Sequence, residues 1–217
     1  MNERRSEKFR LVAGQSQLSL TVILENIHDP HNIGAILRTC DSVGIRKIFV
    51  VNEDQARSNN VLVLGKRSSM GTRKWVDVHY FRELDACIEQ ARSEYGHIAG
   101  AALSHDAVNY LDTSYTGSIA IILGNEQKGL SPRAIRHCDS LIYIPQVGMA
   151  ESLNVSTAAA IILYEAYRQR SLIGRYGTDP DVSAGQAAEL LKRFQDKVFD
   201  RTRNEKRFRV RPFETGK

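Results

Sequence analysis

The sequence has few cysteines and no pattern among them: three in 217 residues. Cys40, Cys87 and Cys138 lie far apart, form no C-x-x-C pair and stand at no metal-ligand spacing to histidine, so no bound metal is expected. They read as small apolar residues of a reducing compartment, which points to the cytoplasm. The opening M-N-E-R-R-S-E-K-F-R lacks the apolar stretch of a signal peptide. No window approaches the roughly 20 apolar residues of a membrane span, so no membrane partner is expected. Also missing are G-x-G-x-x-G, a Walker loop, an H-E-x-x-H helix and a nucleophile elbow. These absences exclude a disulfide scaffold, a zincin, an ordinary serine hydrolase and a protein using the usual nucleotide-binding fingerprints. There is no internal repeat and no low-complexity segment.

What is present is an alternation of strands and helices. Thr21 to Leu24 (T-V-I-L) is apolar almost throughout, as in a parallel sheet covered on both faces. Further strands are expected over Arg46–Val51, Trp75–His79, His97–Leu103, Ser118–Leu123 and Leu141–Ile144. Ile33, Ile36, Leu37 and Cys40 make a helical stripe with Asn32 as a good N-cap, and Pro30 keeps His28 and Asp29 out of that helix. Helices are also expected over Arg82–Tyr95 and Leu130–Cys138, the second with Pro132 in its first turn. This order means βαβ units and a parallel sheet. A helix over Ser152–Arg170 is nearly apolar from Ala158 to Ala166, so it needs cover on more than one side, and a second subunit would supply it.

Charge is distributed unevenly. The net charge is +5. Residues 1–19 read as a basic, polar arm. Lys66 to Lys74 (K-R-S-S-M-G-T-R-K) is either a solvated turn or an edge that contacts phosphates. Gly174 to Gly185 has the glycine and proline content of a linker. Gln186 to Phe199 has helical spacing, and beyond it come Arg203, Lys206, Arg207, Arg209 and Arg211 with Phe208 and Phe213 interleaved. That mixture suits RNA through phosphate contact and base stacking, although most charged termini are only solvated.

Three segments at strand ends carry the candidate chemistry: N-I-G-A-I-L-R (Asn32–Arg38), G-N-E-Q-K-G-L-S (Gly124–Ser131) and I-P-Q-V-G-M-A-E-S-L-N-V-S (Ile144–Ser156). Loops at the carboxyl ends of buried strands are where open α/β folds bind ligands. Small residues at the end of the His97–Leu103 strand let a ligand approach the backbone. Each segment alone has an ordinary reading. Ser152 would cap the following helix with Asn154 in its first turn, Glu126 would sit near the start of a short helix, and Arg38 would pair with Asp41 on the helix surface.

Taken together, in this order, the three segments resemble the motifs of the SPOUT superfamily of RNA methyltransferases, and more narrowly its TrmH-type ribose 2′-O-methyltransferases. The resemblance runs from about Thr21 to Arg170 and includes D-P-H-N, D-A-V-N-Y and I-L-Y-E-A. It implies an α/β fold, a parallel sheet flanked by helices with a C-terminal deep trefoil knot. It divides the chain into a basic arm (1–19), a methyltransferase domain (20–171) and a linker with a basic RNA-binding extension (172–217). It implies S-adenosyl-L-methionine as cofactor, held by Ala101, Gly124, Ile144, Met149 and Leu153 in the loops after Leu103, Leu123 and Ile144. It implies a homodimer with the active site at the subunit interface.

By the same resemblance, Asn32, Arg38, Glu126, Ser152 and Asn154 are the polar catalytic positions, for transfer of a methyl group to a ribose 2′-hydroxyl without a metal. The family's proposal of a general base falls on Arg38, but an arginine normally stays protonated. A phosphate clamp that stabilises a developing alkoxide suits it better. The expected partner is tRNA, with guanosine 18 of the D-loop as target. Many rRNA-directed members of that family carry a separate N-terminal RNA-binding domain; here about twenty residues precede the first strand, and this and the C-terminal extension favour tRNA as the expectation. Ribosomal RNA, another tRNA site, or a non-catalytic RNA-binding module are the alternatives.

Overall fold

The computed structural model describes residues 2–53, 62–65, 71–199 and 207–213. Helix α1 (Glu3–Gly14) leads into β1 (Leu20–Glu25), α2 (Pro30–Ser42), β2 (Lys47–Val51) and β3 (Leu62–Gly65). A short 3-10 turn, Thr72–Lys74, precedes β4 (Asp77–Phe81), α3 (Leu84–Arg92), β5 (His97–Ala101) and β6 (Val108–Asn109). Then come β7 (Ile119–Leu123), α4 (Pro132–Arg136), β8 (Ser140–Tyr143), α5 (Val155–Leu172), α6 (Ala184–Phe199) and β9 (Arg207–Val210).

Seven strands form one sheet in the order β4-β2-β1-β7-β5-β8-β6, and every pairing in it is parallel. β1 is buried along its whole length. Its Val22 and Leu24 join α2 and α5 in one apolar layer, while Ile23 joins α3 and α4 in the layer on the other face. That two-sided burial is why the strand reads as a nearly continuous apolar run. β8 lies between β5 and β6, so the segment joining β5 to β6 spans it.

Two helix starts differ from the spacing argument. The N-cap of α2 is Asp29, whose side chain accepts from the His31 amide at 2.8 Å. Pro30 fits the first helical position because no N–H is needed there. Asn32 therefore sits inside the first turn with its side chain free for other work. The N-cap of α5 is Asn154, not Ser152, and accepts from the Ser156 amide at 2.9 Å. β4 begins two residues later than expected because Trp75 leaves the strand path to pack against Phe9 and Phe194. The two-residue β6 and the antiparallel pair β3–β9 are too short to show a period in sequence.

The segment after α5 is bound to the body. Arg170 is fully buried and donates to the carbonyls of Tyr115 at 2.8 Å and Gly117 at 2.5 Å, and to Gln17 Oε1 at 3.0 Å. It also pairs with Asp181 at 3.4 Å. Asp181 in turn accepts from the Ser19 amide at 2.8 Å, so residues just before β1 and after α5 share one polar cluster. α6 packs on α1 through Leu190, Phe194 and Phe9. In the C-terminal basic stretch Arg209 and Arg211 are exposed, whereas Arg203, Lys206 and residues 66–70 of the basic loop lie outside the described residues.

Candidate active site

The loops after β5, β7 and β8 leave the sheet at neighbouring strand ends, because those three strands and β6 form its far half. Together they enclose a cavity of about 500 Å³, the size usual for a small organic ligand. Its floor is apolar, with Leu123, Ile142, Val155 and Ile162. Its rim is polar, with Glu126, Gln127, Lys128, Gln146, Glu151 and Ser152. A ligand with a flat apolar part and polar ends suits this lining. Among the described residues no group of three His, Cys, Asp or Glu side chains is placed to hold a metal ion.

Of the expected cofactor positions, Ala101, Gly124, Ile144 and Leu153 line the cavity. Met149 does not: it is fully exposed, as is Val147. The loop leaves the cavity wall after Gln146 and rejoins it at Glu151, and Met149 lies on the part between. The small residues of β5 serve two ends. Ala101 faces the cavity, but a Cβ at Gly100 would stand 2.6 Å from Cys138 Sγ, so that glycine admits α4 and its flank rather than a ligand.

Gly124 is required by the loop itself. A Cβ there would come within 2.3 Å of the Gly129 backbone, and Gly129 takes a left-handed φ of 66°. The loop folds back on itself, with the Gly129 amide donating to the Asn125 carbonyl at 2.8 Å.

Three of the expected catalytic residues meet. Asn32 Nδ2 donates to Glu126 Oε1 at 2.8 Å, and Asn154 Nδ2 donates to Asn32 Oδ1 at 3.1 Å. One residue from each of the three sequence segments is thus joined into a single chain of amide and carboxylate groups. Glu126 and Ser152 also line the cavity. Arg38 stands apart on the exposed side of α2, and it does not line the cavity of its own chain. Six residues separate it from Asn32, about 9 Å along the axis and roughly 120° around it. Its ordinary explanation also fails, since Asp41 is taken by Arg46 at 2.6 Å. Among the described residues, no hydrogen bond or ion pair joins Arg38 to another side chain.

Asn125 was not singled out from the sequence although it lies in the second segment. It lines the cavity and donates to the Asn26 carbonyl at 2.9 Å. Its place between Gly124 and Glu126 was the available signal.

Comparison with known proteins bears on this site. The model of the SpoU rRNA Methylase family matches residues 19–164. The chain is 37% identical over 194 residues to the tRNA (guanosine(18)-2′-O)-methyltransferase of Thermus thermophilus, covering 88% of this chain and 97% of the relative. It superposes on the crystal structure of the Aquifex aeolicus TrmH/SpoU tRNA modifying enzyme with a TM-score of 0.79 and 32% identity, covering 91% of this chain and 98% of that one. An AdoMet-bound rRNA methyltransferase from Sinorhizobium meliloti superposes with a TM-score of 0.60 at 29% identity, covering 70% and 60%.

Proposed function

The chain belongs to the SpoU rRNA methylase family, and we propose that it transfers a methyl group from S-adenosyl-L-methionine to the ribose 2′-hydroxyl of guanosine 18 in tRNA. The observation that carries this reading is the bonded set Asn154–Asn32–Glu126 at the mouth of a cavity with an apolar floor. The named activity of a relative matched over nearly its whole length supports it.

The cavity suits the cofactor. Leu123, Ile142 and Ile162 offer an apolar surface to an adenine, and the polar rim offers partners to the ribose and amino-acid parts. When bound, the cofactor supplies an electrophilic methyl group on its sulfonium. The protein's part is to align the hydroxyl and to accommodate the negative charge that grows as its proton leaves. Alignment alone can lower a barrier by several kcal/mol, about 7–11 in the best oriented cases. Glu126 and Asn32 fix one another, and Asn154 extends that chain towards Ser152 on the cavity wall. Arg38 binds the phosphate beside the target ribose and stabilises the forming alkoxide.

A homodimer with its active site at the subunit interface belongs to this reading. It is supported by the position of Arg38, which needs a route to the reacting ribose that one chain does not offer. It is also supported by Tyr164, Tyr167, Leu172 and Ile173, all exposed on α5 or just past it. A trefoil knot is part of the same proposal, supported by the placement of β8 between β5 and β6. Such threading departs from the usual rule that chains do not pass through loops. The division into a basic arm, a methyltransferase domain and an RNA-holding C-terminal extension is retained, with Arg209 and Arg211 as exposed phosphate contacts. A cytoplasmic location is supported by three free cysteines.

The test is methyl transfer from labelled cofactor to unmodified tRNA transcripts, with ribosomal RNA assayed alongside. Label entering tRNA supports the proposal. Label entering ribosomal RNA alone keeps the reaction and overturns the substrate.

A further inference from the structure

The loop that carries Glu126 is held at both ends by two consecutive residues that the functional reading does not use. Glu25, the last residue of β1, is a carboxylate only 1% exposed. Its Oε2 accepts from the Ser131 amide at 2.9 Å and its Oε1 from the Ser131 hydroxyl at 2.5 Å. Asn26 follows with φ of 53°, the only positive φ at a non-glycine among the described residues. Its carbonyl accepts from Asn125 Nδ2 at 2.9 Å. Asn125 Oδ1 accepts from the amides of Gln127 and Lys128 at 2.9 and 3.1 Å. So Asn26 sets the start of the loop and Glu25 sets its end, and the residues between them form one wall of the cavity.

Both features carry a cost that helix capping alone does not explain. Ser131 already caps α4 by accepting from the Ala134 amide at 3.0 Å, and a serine needs no buried carboxylate for that task. Burying a carboxylate is expensive unless its oxygens are satisfied. A left-handed backbone at a residue with a Cβ is a second cost, and such strain gathers at functional sites. Here the turn is further fixed by the Asn26 amide donating to the Val51 carbonyl at 2.9 Å and by Asn26 Oδ1 accepting from the Glu53 amide at 3.0 Å.

We propose that Glu25 and Asn26 are positioning residues for the cofactor: they act through Ser131 and Asn125 to hold the Gly124–Ser131 loop in its binding shape. The proposal rests on the reading that this cavity takes S-adenosyl-L-methionine. Neither residue lines the cavity, and both act one step away from it. The Asn26 side chain is secondary to its carbonyl, which any residue at ease in the left-handed region would present equally well.

The test uses the full-length protein and measures cofactor binding by calorimetry without RNA, KM for tRNA, and Tm. Glu25→Ala would leave two polar groups of Ser131 without their acceptor and threaten folding, so Glu25→Gln and Asn125→Asp carry the test. Both should weaken cofactor binding by about tenfold or more, with KM for tRNA within about twofold of the wild type. Asn26→Gly, which keeps the carbonyl and adopts positive φ freely, should bind cofactor within about threefold of the wild type, and Asn26→Ala should lose about tenfold. Wild-type cofactor affinity in Glu25→Gln and Asn125→Asp would overturn the proposal. So would parallel losses of cofactor and tRNA binding that follow a fall in Tm, since that is a folding defect. Failure of the functional reading would appear instead in the wild type, as no bound cofactor.

Discussion

Asn32 Nδ2 lies 2.8 Å from Glu126 Oε1, joining the first turn of α2 to the loop after β7 across 94 residues of chain. The contact exists because Asp29, not Asn32, caps α2. An amide donating to a carboxylate is a charge-assisted bond, typically about 1.5–3 kcal/mol when removed.

Asn32→Asp would place a second carboxylate against Glu126. Two carboxylates that close repel each other when both are charged, which favours a shared proton as pH falls. The variant should lose about tenfold or more in kcat/KM at pH 8 and recover part of it at pH 6, where the pair shares a proton more readily. Wild-type kcat/KM at both pH values would show that the contact does not matter to turnover.

Arg38→Ala should reduce methyl transfer by at least about a hundredfold while leaving cofactor binding within about twofold. The separation follows from the structure, in which Arg38 does not line the cavity. Single-turnover rates and calorimetry read the two effects independently. Retention of a tenth or more of the activity would remove Arg38 from the chemistry.

Arg170→Ala should destabilise the protein by about 3–5 kcal/mol, because it removes the cation paired with buried Asp181 and the N–H groups that the Tyr115 and Gly117 carbonyls accept from. Denaturant unfolding at constant m-value measures this. The same variant should loosen the turns after α5, seen as faster amide exchange at residues 176–182.

His79 gives the stability a pH dependence. Burial, followed by the nearby Lys47 charge, lowers its pKa below the ordinary 6.5. Its ring stacks on Phe213 at 4.4 Å, and among the described residues its buried Nδ1 has no hydrogen-bond partner. The unfolded chain therefore binds the proton more readily, so this contribution is complete above pH 6.5 and is lost as pH falls towards the lower folded pKa. Chemical denaturation between pH 5 and pH 8 should show stability rising with pH, with a smaller slope in His79→Phe. An equal slope in that variant would assign the dependence to other groups.

Much of this was legible in the sequence, for identifiable reasons. β7 is an unbroken apolar run and β1 nearly one because both faces are covered, and the three site segments fall at strand ends because parallel strands deliver them there. What the sequence hides is choice among equivalents. Asp29 and Asn32 are both good caps, as are Ser152 and Asn154, and only tertiary contacts decide between them. Met149 looked like a cavity residue by its position in a motif, yet the loop carries it outwards. The turns after Leu172 read as a linker because glycine and proline mark turns whether or not those turns are packed, and here Arg170 and Asp181 bind them down.

The central claim is that the methyl group goes to one ribose hydroxyl. It is tested most directly with a tRNA carrying a single 2′-deoxyguanosine at position 18. The account predicts robust transfer to the all-ribose tRNA, recovered as 2′-O-methylguanosine at that position, and none to the deoxy substrate. Undiminished transfer to the deoxy substrate, or label recovered on a base, would contradict it.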